Sequence, residues 1–351
     1  MAADRFPSAA GVIELAISSR VFPGAVVEIG RRDRVLATIT RGALTYATDS
    51  PAVDALTIYD VASLTKVLAT TPLIMQEVEA GRMRLNDRVR HWIPAWSGEE
   101  RQIVTIQDLL EHCAGLPANR PYYQWKSGRE GFELGICEEP LDYAPRTQSI
   151  YTDLGFILLG FALEHAGGVP LDRRFDGWRD AELGPGVELR FHPPAGWFSR
   201  TAPTEDSSHG EELRGGVHDE NARALGGVAG HAGLFGTAAA VGACARWWLA
   251  RVMDLPPGST STLARFMQKS TVPGSSRALG WDTMLPTSSC GTRLSPRAIG
   301  HTGFTGTSLW IDPAQDLYVV LLSNRVHPTR KGEGIQQARR DLHDAIVGDL
   351  S

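Results

Sequence analysis

The chain has 351 residues, 42% of them hydrophobic and 21% charged, with a formal net charge of -5 at pH 7; this is the balance of an ordinary globular protein with room for one large domain or two smaller ones. The negative charge, with no basic run longer than Arg31-Arg32 or Arg339-Arg340, argues against nucleic acid or an acidic membrane surface as a partner. No apolar run approaches the roughly 18 residues that span a bilayer, the first twenty residues lack a secretory order, and Cys113, Cys137, Cys244 and Cys290 show no paired spacing, so the expectation is a cytoplasmic protein without a disulfide framework.

In chain order, Ser8–Arg20 carries Ala9, Ala10, Val12, Ile13, Ala16 and Ile17 at helical spacing, with Ser8 as the expected N-cap. Gly24–Gly30 and Val35–Thr40 are β-branched runs around the charged turn Arg31–Arg34 and predict a hairpin. Helical patterns follow at Ser63–Ala80, Thr105–His112, Thr152–Ala166 and Thr237–Met253, with Trp247 and Trp248 expected in the core. Between 167 and 236 the chain turns to Gly, Pro, His and acidic residues with little periodicity, which predicts an irregular stretch carrying binding loops. Ser308–Asp312 and Leu317–Ser323 predict two more strands, and Ile335–Leu350 a final helix. The expected fold class is α/β plus all-α: an antiparallel sheet flanked by terminal helices, with an inserted helical domain. Residues 1–60 and 270–351 would build the α/β part, 61–269 the insertion, and their junction the active site.

Three short patterns carry chemistry. Ser63-Leu-Thr-Lys66 puts a hydroxyl and an amine three residues apart on one helical face. Such a serine becomes a nucleophile only when a base takes its proton, and a lysine can be that base only if burial or positive charge draws its pKa down from about 10.4. Val67, Leu68, Ala69, Leu73 and Ile74 offer that burial. Tyr151-Thr152-Asp153 precedes the helix 154–160, where Tyr151 either relays a proton or merely begins a helix capped by Thr152 or Asp153. His301-Thr302-Gly303-Phe304 precedes the strand at 308, where a glycine lets backbone approach a substrate and one N–H can hold an oxyanion, or else a plain turn is formed. His209, His218, Asp219 and His231 lack the close spacing of metal ligands, and no nucleophile elbow, phosphate loop or dinucleotide fingerprint occurs, so no metal or cofactor is expected.

Ser63-x-x-Lys66, Tyr151-x-Asp153 and His301-Thr302-Gly303, in this order, resemble the signature set of the serine β-lactamase and penicillin-binding-protein superfamily. The likeness is to class C-like serine hydrolases, whose middle motif begins with Tyr, and within them to the peptidoglycan-amidase and esterase branch. Leu109–Pro117 and Gly233–Ala238 extend it, so that it covers about residues 20 to 350. The resemblance implies a β-lactamase/transpeptidase-like fold with Ser63 as nucleophile, Lys66 as its base or electrostatic partner, and Tyr151 as proton shuttle. It implies an oxyanion held by the N–H groups of Ser63 and Phe304, with Asp153, His301, Thr302 and Gly303 facing substrate. His231 or Asp219, in the long polar segment 217–235, either lines the cleft or belongs to a hydrogen-bonded loop core. Two departures stand out: His301 replaces the family's usual lysine and Asp153 its usual Asn or Ser, which weakens a permanent anchor for a β-lactam carboxylate.

The expected activity is therefore cleavage of an amide or ester through a covalent acyl-enzyme, on a small-molecule or peptide substrate such as a peptidoglycan-derived peptide. The alternatives are a β-lactamase or D-alanyl-D-alanine carboxypeptidase, and a penicillin-binding sensor without turnover. The oligomeric state is left open.

Overall fold

The computed structural model describes residues 5–206 and 212–351. Its strands are β1 (Gly24–Arg31), β2 (Arg34–Gly42), β3 (Tyr59–Asp60), β4 (Leu189–Arg190), β5 (Phe235–Gly236), β6 (Asp282–Thr283), β7 (Ile299–Thr302), β8 (Ser308–Asp312) and β9 (Leu317–Ser323). Six of them form one antiparallel sheet in the order β2-β1-β9-β8-β7-β6, so the first and last parts of the chain meet at its centre. The period-2 pattern of β1 and β9 sends successive side chains to opposite faces. Ala25, Val27, Ile29, Val319 and Leu321 join the core under the two terminal helices, Pro7–Ser18 and Ile335–Leu350. Val26, Val320 and Leu322 join the larger core formed with the helical middle of the chain. Helix Ala238–Met253 lies on that second face, where Arg246 and Tyr318 hydrogen bond to the buried carboxylate of Glu28. A smaller sheet, β3-β5-β4, carries the chain into the site.

Local detail departs from expectation in three places. The first helix is not capped by Ser8: Phe6 is its N-cap, Pro7 stands in the first turn, and the Ser8 and Ala9 N–H groups donate to Asp349 of the last helix at 3.0 and 3.2 Å. A proline there sacrifices no hydrogen bond, and the carboxylate satisfies two of the free donors of the first turn. The stretch 167–236 is not wholly irregular, since Leu171–Glu182 is a helix whose Leu171, Phe175 and Trp178 are buried. The segment after Ser63 is not a uniform α-helix but a 3₁₀ turn (Ala62–Leu64), a π-helical turn (Lys66–Thr70) and then an α-helix (Thr71–Glu79). Among the described residues no single helix is long and apolar enough to cross a membrane.

His343 lies fully buried beside Trp310, donates from Nδ1 to the Arg339 carbonyl at 2.7 Å, and is pushed down to about 4 by burial. Its neutral form is favoured by folding, so its contribution to stability is complete above the ordinary histidine value of about 6.5 and is lost as pH falls toward the folded value. Urea unfolding followed across that window is expected to show a loss of stability, part of it, on the order of 3 kcal/mol at most, absent in His343→Gln. An equal acid loss in both proteins would contradict the assignment.

Candidate active site

The site forms where β3 ends. Asp60 Oδ1 accepts the Ala62 N–H at 2.8 Å and Oδ2 the His218 N–H at 2.8 Å, which ties this turn to the polar segment 217–235. Ala62 is thereby held at a φ of +48°, a left-handed conformation costly for a residue with a side chain. The strained turn and the π-helical turn after it present Ser63 at the cleft while Lys66 is wholly enclosed.

Lys66 Nζ has three oxygen partners: Ser63 Oγ at 3.0 Å, Asp153 Oδ1 at 2.6 Å and the His231 carbonyl at 3.1 Å. An ammonium has three N–H donors, so this shell satisfies the charged form completely. Burial alone would lower the pKa of Lys66, but the Asp153 carboxylate and Tyr151 outweigh it and hold the amine above the ordinary lysine value. The condition for Lys66 to act as a free base, a lowered pKa, is not met with this carboxylate against the enclosed amine, and of the two roles expected for it the arrangement fits the electrostatic partner.

Tyr151 donates to Ser63 Oγ at 3.0 Å, and its oxygen is 3.4 Å from Asp153 Oδ1. Burial raises the phenol above its usual value, with Lys66 opposing and Asp153 reinforcing the rise. Behind it, His112 packs 4.8 Å from the Tyr151 ring and accepts the Thr152 N–H at Nδ1, while Thr152 caps the helix Asp153–Gly167. The sequence assigns His112 no role of its own; its one signal is its place at the end of the helical pattern Thr105–His112 and in the Leu109–Pro117 landmark.

The third segment closes the site from the sheet. Thr305 Oγ1 donates to the Asp60 carbonyl at 2.7 Å and Thr307 Oγ1 to the Val61 carbonyl at 3.0 Å. A Cβ on Gly303 would collide with Thr307 Oγ1 and stand 2.6 Å from the Val61 carbonyl, so glycine is what lets this loop reach the serine turn. Arg339, on the last helix, donates to the Gly303 and Thr307 carbonyls, each at 2.8 Å. The Phe304 N–H finds no protein acceptor among the described residues. Phe304 itself is half exposed, with the Arg325 guanidinium 4.5 Å over its ring.

His301 is buried, and its Nδ1 faces the Thr302 carbonyl at 2.9 Å, leaving Nε2 without a protein partner. Burial, together with Lys66 and Arg277, holds it well below the ordinary histidine value, so it is a neutral ring. Positive charge instead comes from Arg277, which the sequence reading did not single out. Its guanidinium lies 5.1 Å over the Tyr151 ring, with Asp282 at 3.9 Å as its salt-bridge partner among the described residues. A single arginine in a loop carries no pattern that could have flagged it.

These groups share a cleft of about 660 Å³, lined by Ser63, Tyr151, Asp153, Asp219, Arg277 and His301 among others, including Thr302, Gly303 and Phe304. His231 is not on its wall: the ring is fully buried and bonds Asp219 Oδ1 through Nε2 at 2.8 Å, so Asp219 is the member of that pair that meets the cleft. Asp153, Asp219 and His231 bring donor atoms within 4.8 Å of one another. Lys66 and His231 already stand against the two carboxylates, and a divalent cation there would face an ammonium at close range. Of the histidines weighed as ligands, His218 turns to Glu205 at 3.1 Å and His209 lies outside the described residues.

The sequence profile described as Beta-lactamase matches residues 10–344. A relative from Escherichia coli named "Putative D-alanyl-D-alanine carboxypeptidase" is 33% identical over 307 residues, which is 77% of this chain and 70% of the relative. Among solved structures, the class C β-lactamase of Rhodobacter sphaeroides superposes with a TM-score of 0.77 at 18% identity, over 98% of this chain and 99% of that one. A penicillin-binding-protein homologue of Caulobacter crescentus gives 0.75 at 18% identity, over 99% and 98%. At these identities the two structures speak for the fold alone.

Gly303→Ala is expected to displace the loop from the serine turn and to slow modification of Ser63 by a fluorophosphonate about a hundredfold, measured by intact-protein mass spectrometry. Labelling at the wild-type rate would show that the close approach is dispensable.

Proposed function

From the premise that this chain belongs to the Beta-lactamase family and is a serine hydrolase, we propose that it cleaves an amide bond next to a free carboxylate in short peptides, of the kind that peptidoglycan supplies, through an acyl-enzyme on Ser63. The observation that carries the reading is the meeting of Lys66 and Tyr151 on one serine oxygen, with the Arg277 guanidinium over the same tyrosine. The name of the Escherichia coli relative supports the same substrate class.

In this reading the Tyr151 phenol first gives up its proton to solvent; Ser63 Oγ then attacks the carbonyl carbon as its own proton passes to the phenolate oxygen. The oxygen of the tetrahedral intermediate is held by the N–H groups of Ser63 and Phe304, fixed donors aimed where charge develops. Tyr151 then gives its proton to the departing nitrogen, and water releases the acyl group. Lys66 stays charged and lowers the cost of negative charge on the serine oxygen. The substrate carboxylate pairs with Arg277, whose planar fork suits two oxygens. In this reading the cationic anchor that the neutral His301 does not provide comes from a different segment of the cleft.

Ser63→Ala is expected to abolish release of the terminal residue from a peptide ending in D-alanyl-D-alanine, followed by chromatography, with nitrocefin hydrolysis measured alongside. Wild-type turnover of nitrocefin well above that of the peptide would favour a β-lactamase, and a Ser63 adduct that forms without product would favour a sensor. Arg277→Ala is expected to lower the preference for a free-acid peptide over its amide-capped form by about tenfold to a hundredfold, from loss of a charged hydrogen-bonded pair. An unchanged ratio would remove Arg277 from substrate recognition.

A further inference from the structure

Asp153 stands where related enzymes are expected to carry a neutral residue facing the substrate, yet its nearest partner is the lysine. Oδ1 lies 2.6 Å from Lys66 Nζ and 3.4 Å from the Tyr151 oxygen. The carboxylate also sits in the first turn of the helix Asp153–Gly167, whose N-terminal end favours negative charge. Lys66 is fully enclosed, and its other two acceptors, a hydroxyl and a backbone carbonyl, are neutral. A neutral amide in place of Asp153 would remove the largest influence opposing burial at the amine, leaving Tyr151 and the more distant Asp219 against it, and a buried amine that loses its contacting counter-ion is easier to deprotonate.

Taking Ser63 as the nucleophile, as proposed above, we propose that Asp153 is a counter-ion that keeps Lys66 protonated, so that the Ser63–Tyr151–Lys66 cluster must release one proton to solvent before Ser63 can attack. Asp153 is then a positioning residue that sets the working pH of the enzyme by acting through Lys66 and Tyr151. The proton balance is complete without a co-reactant. The cluster first gives the phenol proton to water or buffer. As the Oγ–C bond forms, the Ser63 proton moves to the phenolate oxygen and the carbonyl electron pair moves onto its oxygen. When the C–N bond breaks, Tyr151 returns that proton to the leaving nitrogen, and Lys66 remains an ammonium throughout.

The surrounding charges act in both directions. Lys66 favours the phenolate of Tyr151, whereas Asp153 disfavours it; both residues are held above their ordinary values, and Asp153 raises each of them. Asp219, kept ionised by His231 behind it, is the second carboxylate near the ammonium. Arg277 stands over the Tyr151 ring, and the rings of His301 and His112 beside it are neutral, depressed by burial and by the neighbouring cations. Of these groups, Asp153 is the one in direct contact with both titrating atoms.

The test is the pH dependence of kcat/KM for p-nitrophenyl acetate from about pH 6 to pH 10, with the rate of fluorophosphonate labelling of Ser63 measured in parallel. The wild type is expected to gain about tenfold per pH unit through the neutral range. Asp153→Asn is expected to move this rising limb down by about one to two pH units, so that the variant outpaces the wild type near neutrality, while Asp153→Glu keeps the wild-type limb. A limb unmoved in a folded Asp153→Asn protein, or a uniform loss of rate at every pH, overturns the counter-ion role. So does wild-type labelling that is flat between about pH 6 and 8, a measurement that needs no variant. Absence of any Ser63 adduct overturns the nucleophile reading and this role with it, whereas an adduct with an unmoved limb overturns this role alone.

Discussion

An ammonium ion enclosed by protein is tolerable only when its charge is answered nearby, and the placement of Lys66 imposes that condition on two distant parts of the chain and on the turn before it. Asp153 has to arrive from the start of one helix, the His231 carbonyl from a glycine-rich loop, and Ser63 from the preceding turn. Removing one partner of such a buried pair is costly because it strands the other charge, whereas the intact pair adds little to stability. Its value lies in geometry: the serine oxygen is held between Lys66 and Tyr151, 3.0 Å from each.

The sheet delivers the remaining wall of the site. β7 and β8 run side by side, and the loop between them is pressed onto the serine turn by the two threonine hydroxyls at 305 and 307 and drawn back by Arg339. Among the described residues Arg339 has no carboxylate as a hydrogen-bond partner; burial and the nearby Arg325 push it down to about 9, and its bonds go to loop carbonyls. On the opposite side, a Cβ on Gly230 would collide with the Phe156 carbonyl, so the loop carrying the His231 carbonyl lies flat against the helix that carries Asp153. Both walls are thus set by close backbone approach, and side-chain packing follows from it.

What the sequence disclosed follows the range of each interaction. The two hairpins and both terminal helices were legible because alternation and helical spacing are local, and Ser63 with Lys66 because they share a turn. Tyr151 and His301 could be placed by their order along the chain. The partner of Asp153 could not, because a carboxylate at a helix start reads equally as a cap, a substrate contact or a counter-ion until the lysine is seen against it. His231 and Asp219 stayed open between cleft wall and loop core, since loop composition does not reveal which side chain turns inward; Asp219 meets the cleft and His231 lies behind it. The helix Leu171–Glu182 was hidden by its charged residues, although Leu171, Phe175 and Trp178 already carried its apolar stripe.

Strand order has a kinetic meaning as well. β1 pairs with β9, so residues 25–30 lie against residues 318–323 in the middle of the sheet. Synthesis from the N-terminus leaves one edge of β1 unpaired until β9, about 300 residues later, has emerged, and closing so long a loop carries an entropic cost that local hairpins do not meet. The sheet is therefore finished late, and an interrupted chain would display an adhesive strand edge to its neighbours.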